Sequence, residues 1–137
     1  MTTPNTHLKI DPRLCGEPVA LAPGEATTRF VTTAEMGADA EGLVHGGFVF
    51  GLADYAAMLA VNDPNVVLGA AEVRFTAPVK VGDEVVAAAK VIEEKGKKRV
   101  IVPGTPPSPG QRGKATEEEE KGNTTKRLRT TESAPPQ

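Results

Sequence analysis

"GLVHGGFVFGLADYAAMLAVN", residues 42–62, is apolar almost throughout from Phe48 to Val61, yet it holds Asp54 at its centre. A lone carboxylate buried in such a run is costly unless it has a partner or a task. Alanine and leucine favour a helix from Gly46 to about Asn62, and the "NDPN" turn ends it. A membrane span is the competing reading. His45, Asp54, the adjacent glycines and the lack of a closely flanking lysine or arginine all oppose it. A helix apolar on nearly every side must then be covered by something broad.

The flanking sequence supplies that cover. Residues 25–33, "EATTRFVTT", are rich in threonine and β-branched side chains and read as a strand. Residues 66–77 and 85–94 read as two more, joined through "KVGDE". Residues 98–102 begin another after a tight turn at Lys95–Gly96. Residues 1–24 read as a loosely structured lead-in, and "AEMGADAEG" as a loop. Consecutive strands with short turns pair antiparallel, because a parallel pair needs a long crossover. A curved antiparallel sheet wrapped around one helix, with the remaining helix face against another subunit, is the α+β solution.

Composition narrows the class. At 137 residues the chain is at most one ordinary domain, and its formal net charge of −2 gives no bulk attraction to nucleic acid or to a membrane surface. Cys15 alone excludes an intramolecular disulfide, and two histidines, His7 and His45, are too few for a usual Cys/His metal cluster. No metal and no cofactor are expected. A reduced, cytoplasmic setting fits, since the first residues lack the basic and apolar regions of a secretory signal.

The pattern breaks near Val102. The tail holds six of the 12 prolines, the Glu117–Glu120 run and the basic "KRLR", with almost no apolar residues. Such a segment buries too little surface to offset its ordering entropy. The expected division is therefore a domain over residues 1–102 and a disordered tail over residues 103–137. The tail reads either as a natural extension or as a shifted reading frame that replaced the last strands. The strand-like entry of "KKRVIV" followed by an abrupt stop favours the second.

The helix start carries the candidate chemistry. The first amides of a helix have no partner within it and form its positive end. Gly46 and Gly47 let another group approach that backbone closely, which makes it a candidate oxyanion hole. Asp54 is a candidate nucleophile or general base. It lies eight residues beyond Gly46, about 12 Å along a helix axis. One reacting atom cannot touch both, so a common site has to be shared between two subunits, their helices antiparallel about a two-fold axis.

The stretch "DAEGLVHGGFVFGLAD", residues 39–54, resembles the hotdog-fold thioesterases of the phenylacetate-degradation (PaaI-like) type, and "EVRFTAPVKVGDEV" resembles their following strand and turn. The resemblance covers about residues 18–102. It implies a hotdog fold, a homodimer or homotetramer, and hydrolysis of acyl-coenzyme A thioesters without metal or bound cofactor. It also implies that the Gly46 amide binds the thioester oxygen, that Asp54 is nucleophile or general base, and that His45 and Gly47 complete the catalytic set, with His45 shaping the helix start. Many relatives carry asparagine where this chain has Asp39, and an ionised carboxylate cannot donate a hydrogen bond. Many also place a hydroxyl near the start of the next strand, where "VVLGAA" has none.

Asp39, Phe48, Lys95 and Lys97 are the candidate substrate-binding residues, the lysines because an ammonium group partners phosphates such as those of coenzyme A. Phe50, Tyr55 and Met58 are candidates for an acyl pocket, although apolar helix residues are more often core. A non-catalytic hotdog module that binds acyl groups or serves assembly is the alternative function.

Overall fold

The computed structural model describes residues 2–106 and 129–133. A short helix α1 (Pro12–Cys15) leads into strands β1 (Glu17–Ala22) and β2 (Glu25–Val31). A 3-10 turn at Ala34–Met36 precedes the long helix α2 (Gly46–Val61). Strands β3 (Val67–Glu72), β4 (Glu84–Lys95), β5 (Lys98–Pro103) and β6 (Arg129–Ser133) follow. The six strands form one sheet in the order β1-β2-β4-β5-β6-β3, and every pairing is antiparallel.

The sheet holds α2 against its face. Val85, Ala87 and Ala89 of β4 join Ala26 and Phe30 of β2 in one core with Leu52, Ala53, Ala56, Met58 and Leu59 of the helix. The alanines let helix and sheet approach closely. The same pairing sets Arg29 opposite Val86, and its guanidinium donates to Glu84 at 2.6 Å and to Glu17 at 2.9 Å. That clamp ties three neighbouring strands together. Asn62 in the left-handed conformation (φ 55°) closes the helix, its amide bonded to the Met58 carbonyl.

Three expectations change. The lead-in is ordered: Asp11 caps α1 through the Arg13 amide, Pro12 opens the helix, and Ile10 and Leu14 pack against the core. Asp followed by proline is a helix-start signal that was legible in the sequence. Second, β3 does not pair with β4 but with β6, and it spans Val67–Glu72 rather than running to Ala77. Third, the segment expected to be a structureless tail from Pro103 contributes β6, which joins β3 to β5. The rest of that expectation, residues 107–128 and 134–137, lies outside the described residues.

Candidate functional site

The start of α2 is fixed by bonds that leave its first amides open. The His45 amide donates to the Met36 carbonyl at 2.8 Å, the Val44 amide to Val79 at 2.8 Å, and the Phe48 amide turns back to the His45 carbonyl at 3.1 Å. The amides of Gly46 and Gly47 meet no acceptor among the described residues. The His45 side chain does not cap the helix. Its ring stands edge-on to Phe48 with centroids 6.1 Å apart, and a Cβ on Gly47 would come within 2.9 Å of its Nε2. At Gly46 a Cβ would meet the Phe75 ring at 3.3 Å. Phe75 itself is 53% exposed.

Asp54 lies in the same unbroken helix as Gly46, so the two cannot meet within one chain. Gly46–Phe48, Phe50, Gly51, Asp54 and Val61 retain some exposure, while Val49, Leu52, Ala53 and Tyr55–Ala60 are buried. Gly47, Phe50, Gly51 and Asp54 recur at helical spacing and share one face of the first turns of α2. At Gly51 a side chain would meet nothing within 4 Å. This is the helix face that the chain covers least.

The Asp54 carboxylate is strained electrostatically. Its Oδ1 is buried and has no hydrogen-bond partner among the described residues. Burial pushes the carboxyl above the ordinary carboxylate range, and the charge of His7 acts in the opposite direction. Cys15 lies in the same neighbourhood: burial first, then the charges of Asp11 and Asp54, push its thiol up. Burial, with Cys15 as a smaller cause, also raises the Tyr55 phenol. His7 and Cys15 lie 47 and 39 residues upstream of Asp54, in a lead-in read as loosely structured, so the sequence did not connect them with it.

The other candidates are dispersed. Asp39 Oδ1 accepts from the amides of Glu41 at 2.9 Å and Leu43 at 3.1 Å, so the carboxylate holds its own loop. Phe48 is half-buried and packs on the core. Tyr55 and Met58 are core residues, and Phe50 borders the core. Lys95 pairs with Glu93 at 3.0 Å, and Lys97 occupies the exposed tip of the β4–β5 hairpin. Lys95 ends the twelve-residue strand β4, whose other end follows the loop that pairs with Leu43 and Val44 just before α2, and a strand of that length spans roughly 35 Å. Within one chain the lysines and Gly46 are therefore far apart. The described residues contain no cluster of potential metal ligands and no helix long and apolar enough to cross a membrane.

Known proteins share this architecture and this sequence. The uncharacterized protein PH1136 from Pyrococcus horikoshii superimposes with a TM-score of 0.83 at 44% identity, over 99% of this chain and 95% of that one. The PaaI protein from the phenylacetic acid degradation operon of E. coli matches in fold with a TM-score of 0.66 at 23% identity, over 90% and 81%. A methylthioribose-1-phosphate isomerase of Aquifex aeolicus (strain VF5) is 56% identical over 97 residues, covering 71% of this chain. The chain spans 21% of that protein's length. The family model described as "Thioesterase superfamily" matches residues 41–102, the segment from the loop before α2 to the end of β5. With the glycine-opened helix and the antiparallel sheet wrapped on it, these matches establish that the chain belongs to the hotdog-fold thioesterase superfamily.

Proposed function

We propose that the chain hydrolyses acyl-coenzyme A thioesters at a site shared by two subunits. The observation that carries this reading is the buried, unpartnered Oδ1 of Asp54, on the half-buried face of α2 that also holds Gly47, Phe50 and Gly51. Burial without a partner costs stability, and perturbed carboxylates concentrate where chemistry is done. Family membership supports the reaction class.

In this reading the least covered faces of two α2 helices meet with the helices running in opposite directions, so each Asp54 approaches the partner's helix start. The free edge of β3, where Val67 is 50% and Leu68 37% exposed, offers a second surface to the same neighbour. The thioester carbonyl oxygen takes the open Gly46 amide, with Gly47 beside it. Asp54 removes a proton from water as the water oxygen adds to the carbonyl carbon. The negative oxygen of the tetrahedral intermediate rests on the helix start. The intermediate collapses, the carbon–sulfur bond breaks, and coenzyme A leaves as a thiolate that takes up a proton; the products are the free acid and coenzyme A. Asp54 could also add directly to the carbonyl, giving a mixed anhydride that water then cleaves. A raised carboxyl is the stronger base and suits the first route.

Binding without turnover is a second reading, favoured by Asp39, whose carboxylate is committed to the Glu41 and Leu43 amides. Thiol release from a panel of acyl-coenzyme A esters separates the two. Hydrolysis by the wild type that disappears in Asp54→Asn supports the first, while saturable binding with no thiol release supports the second. Light scattering showing a stable monomer that turns over would contradict the shared site.

A further inference from the structure

We propose that Phe75 is a specificity-determining residue, whose ring walls the acyl side of the Gly46 and Gly47 amides and selects acyl groups unbranched at the carbon beside the thioester carbonyl. The inference rests on the reading of the helix start as the place where the thioester oxygen binds.

Phe75 is carried by a strap between β3 and β4 that is fixed at both ends. Val73 packs against the core. Val79 is buried, its carbonyl accepts from the Val44 amide at 2.8 Å, and Lys80 bridges to Leu43. Residues 73–79 form neither helix nor strand, so the anchors set the course of the strap and bring Phe75 to the first residue of α2.

The contact there is close. A Cβ on Gly46 would meet Cε1 of the Phe75 ring at 3.3 Å and its Cδ1 and Cζ at 3.7 Å. Side-chain bonds in a helix tilt toward its N-terminus, the direction in which the open amides also point. The ring thus stands beside the approach to the Gly46 amide. One residue on, a Cβ on Gly47 would meet the His45 ring, with Nε2 at 2.9 Å and Cδ2 at 3.1 Å. Successive helical residues turn by about 100°, so Phe75 and His45 wall adjacent sides of the two amides. Among the described residues Phe30 and Tyr55 are buried and Phe48 and Phe50 half-buried, whereas Phe75 is 53% exposed. An exposed apolar side chain is ordinary by itself. This one lies where the substituents of a bound carbonyl must pass.

A thioester carbonyl carries an acyl carbon on one side and, on the other, a sulfur that leads to the amide-bearing arm of coenzyme A. The Phe75 ring has no polar atom to pair with those amides, while the His45 imidazole does. The acyl carbon therefore goes to the Phe75 side. A single carbon on Gly46 already meets three atoms of this ring. A straight acyl chain passes along the exposed ring face, but a methyl branch next to the carbonyl has to push the ring aside.

Thiol release from butyryl-coenzyme A and from its branched isomer isobutyryl-coenzyme A tests this in wild type, Phe75→Ala and Phe75→Leu, each checked for folding by circular dichroism. The kcat/KM ratio of branched to straight ester is expected to rise about tenfold in Phe75→Ala, the low end of what one methyl group decides in an apolar pocket, and to rise less in Phe75→Leu. A ratio unchanged in folded Phe75→Ala overturns the proposal and leaves the hydrolase reading standing. A second readout needs no turnover. The chain has no tryptophan, so Phe75→Trp combined with Asp54→Asn places a single indole at the wall. Its emission should change saturably with butyryl-coenzyme A and not with free coenzyme A. If wild type releases no thiol from either ester, the function proposed for the site fails and the indole decides the role of Phe75. A saturable response to the ester then upholds the acyl wall, and no response, or an equal one to free coenzyme A, overturns it.

Discussion

The Thr28 hydroxyl donates to the Leu52 carbonyl over 3.0 Å, from a fully buried position in β2. The bond fastens α2 to the sheet two residues before Asp54. Thr28→Val removes the donor while keeping the branched shape. The Leu52 carbonyl retains its place in the helix and is not stranded, so the expected loss is about 0.5–1.5 kcal/mol, the usual net value of one hydrogen bond. Thr28→Ala should cost more, because it adds a cavity. Urea unfolding checks both, and a valine variant as stable as wild type would show that the bond contributes nothing.

Asp54 should weaken the fold that carries it. Its native carboxyl is raised by burial, so between the ordinary value and the raised one the native state holds more protons than the unfolded chain. Stability therefore falls as pH climbs through that window and stays lower above it. Each unit of elevation corresponds to about 1.4 kcal/mol. Asp54→Asn is expected to raise the Tm at pH 7 and to match wild type at low pH. Thermal melts across pH 3–8 measure this, and a difference that does not vary with pH would count against it.

Removing residues 107–137 should loosen β3. The strand's hydrogen-bonded neighbour is β6, and β6 lies within the deleted segment. Amide exchange in Val67–Glu72 should accelerate toward that of a loop, while Thr27–Phe30, paired with β4, stays protected. Equal protection of β3 in the truncated and full-length chains would contradict the pairing.

Gly46 and Phe75 should be coupled. The ring would lie 3.3 Å from a new Cβ, so Gly46→Ala has to displace it, and crowding of this kind costs about 1–3 kcal/mol in a well-packed setting. Phe75 is half-exposed and can give way, which puts the expected loss at the low end. In a Phe75→Ala background the same alanine should be nearly neutral. A double-mutant cycle on stability and on kcat/KM reads the coupling, and additive effects would show that the ring does not press on the helix start.

The helix and its carboxylate were legible because an apolar run with a single acid, opened by glycine and closed by "NDPN", has few other readings. Strands β2, β4 and β5 were legible from β-branched residues and short turns. What failed depended on distant pairing. Nothing local to "VVLGAA" says that its partner lies some 60 residues on rather than in the next strand, and "RTTES" is too short and polar to announce a strand on its own. The lead-in failed for the opposite reason: the Asp11–Pro12 signal was present, but its consequence, Ile10 and Leu14 packed against the core, appears only when the chain is laid against α2.

The shared site is tested most directly by mixing two inactive subunits. Asp54→Asn removes the carboxylate but leaves the Gly46 amide, whereas Gly46→Pro removes that amide and leaves Asp54. Each homodimer should be nearly inactive, after circular dichroism confirms that it is folded. In a purified mixed dimer one site carries both defects and the other carries neither, so the rate should recover to about half that of wild type, one intact site of two in a two-fold assembly. A folded mixed dimer that stays as inactive as its parents would contradict the account.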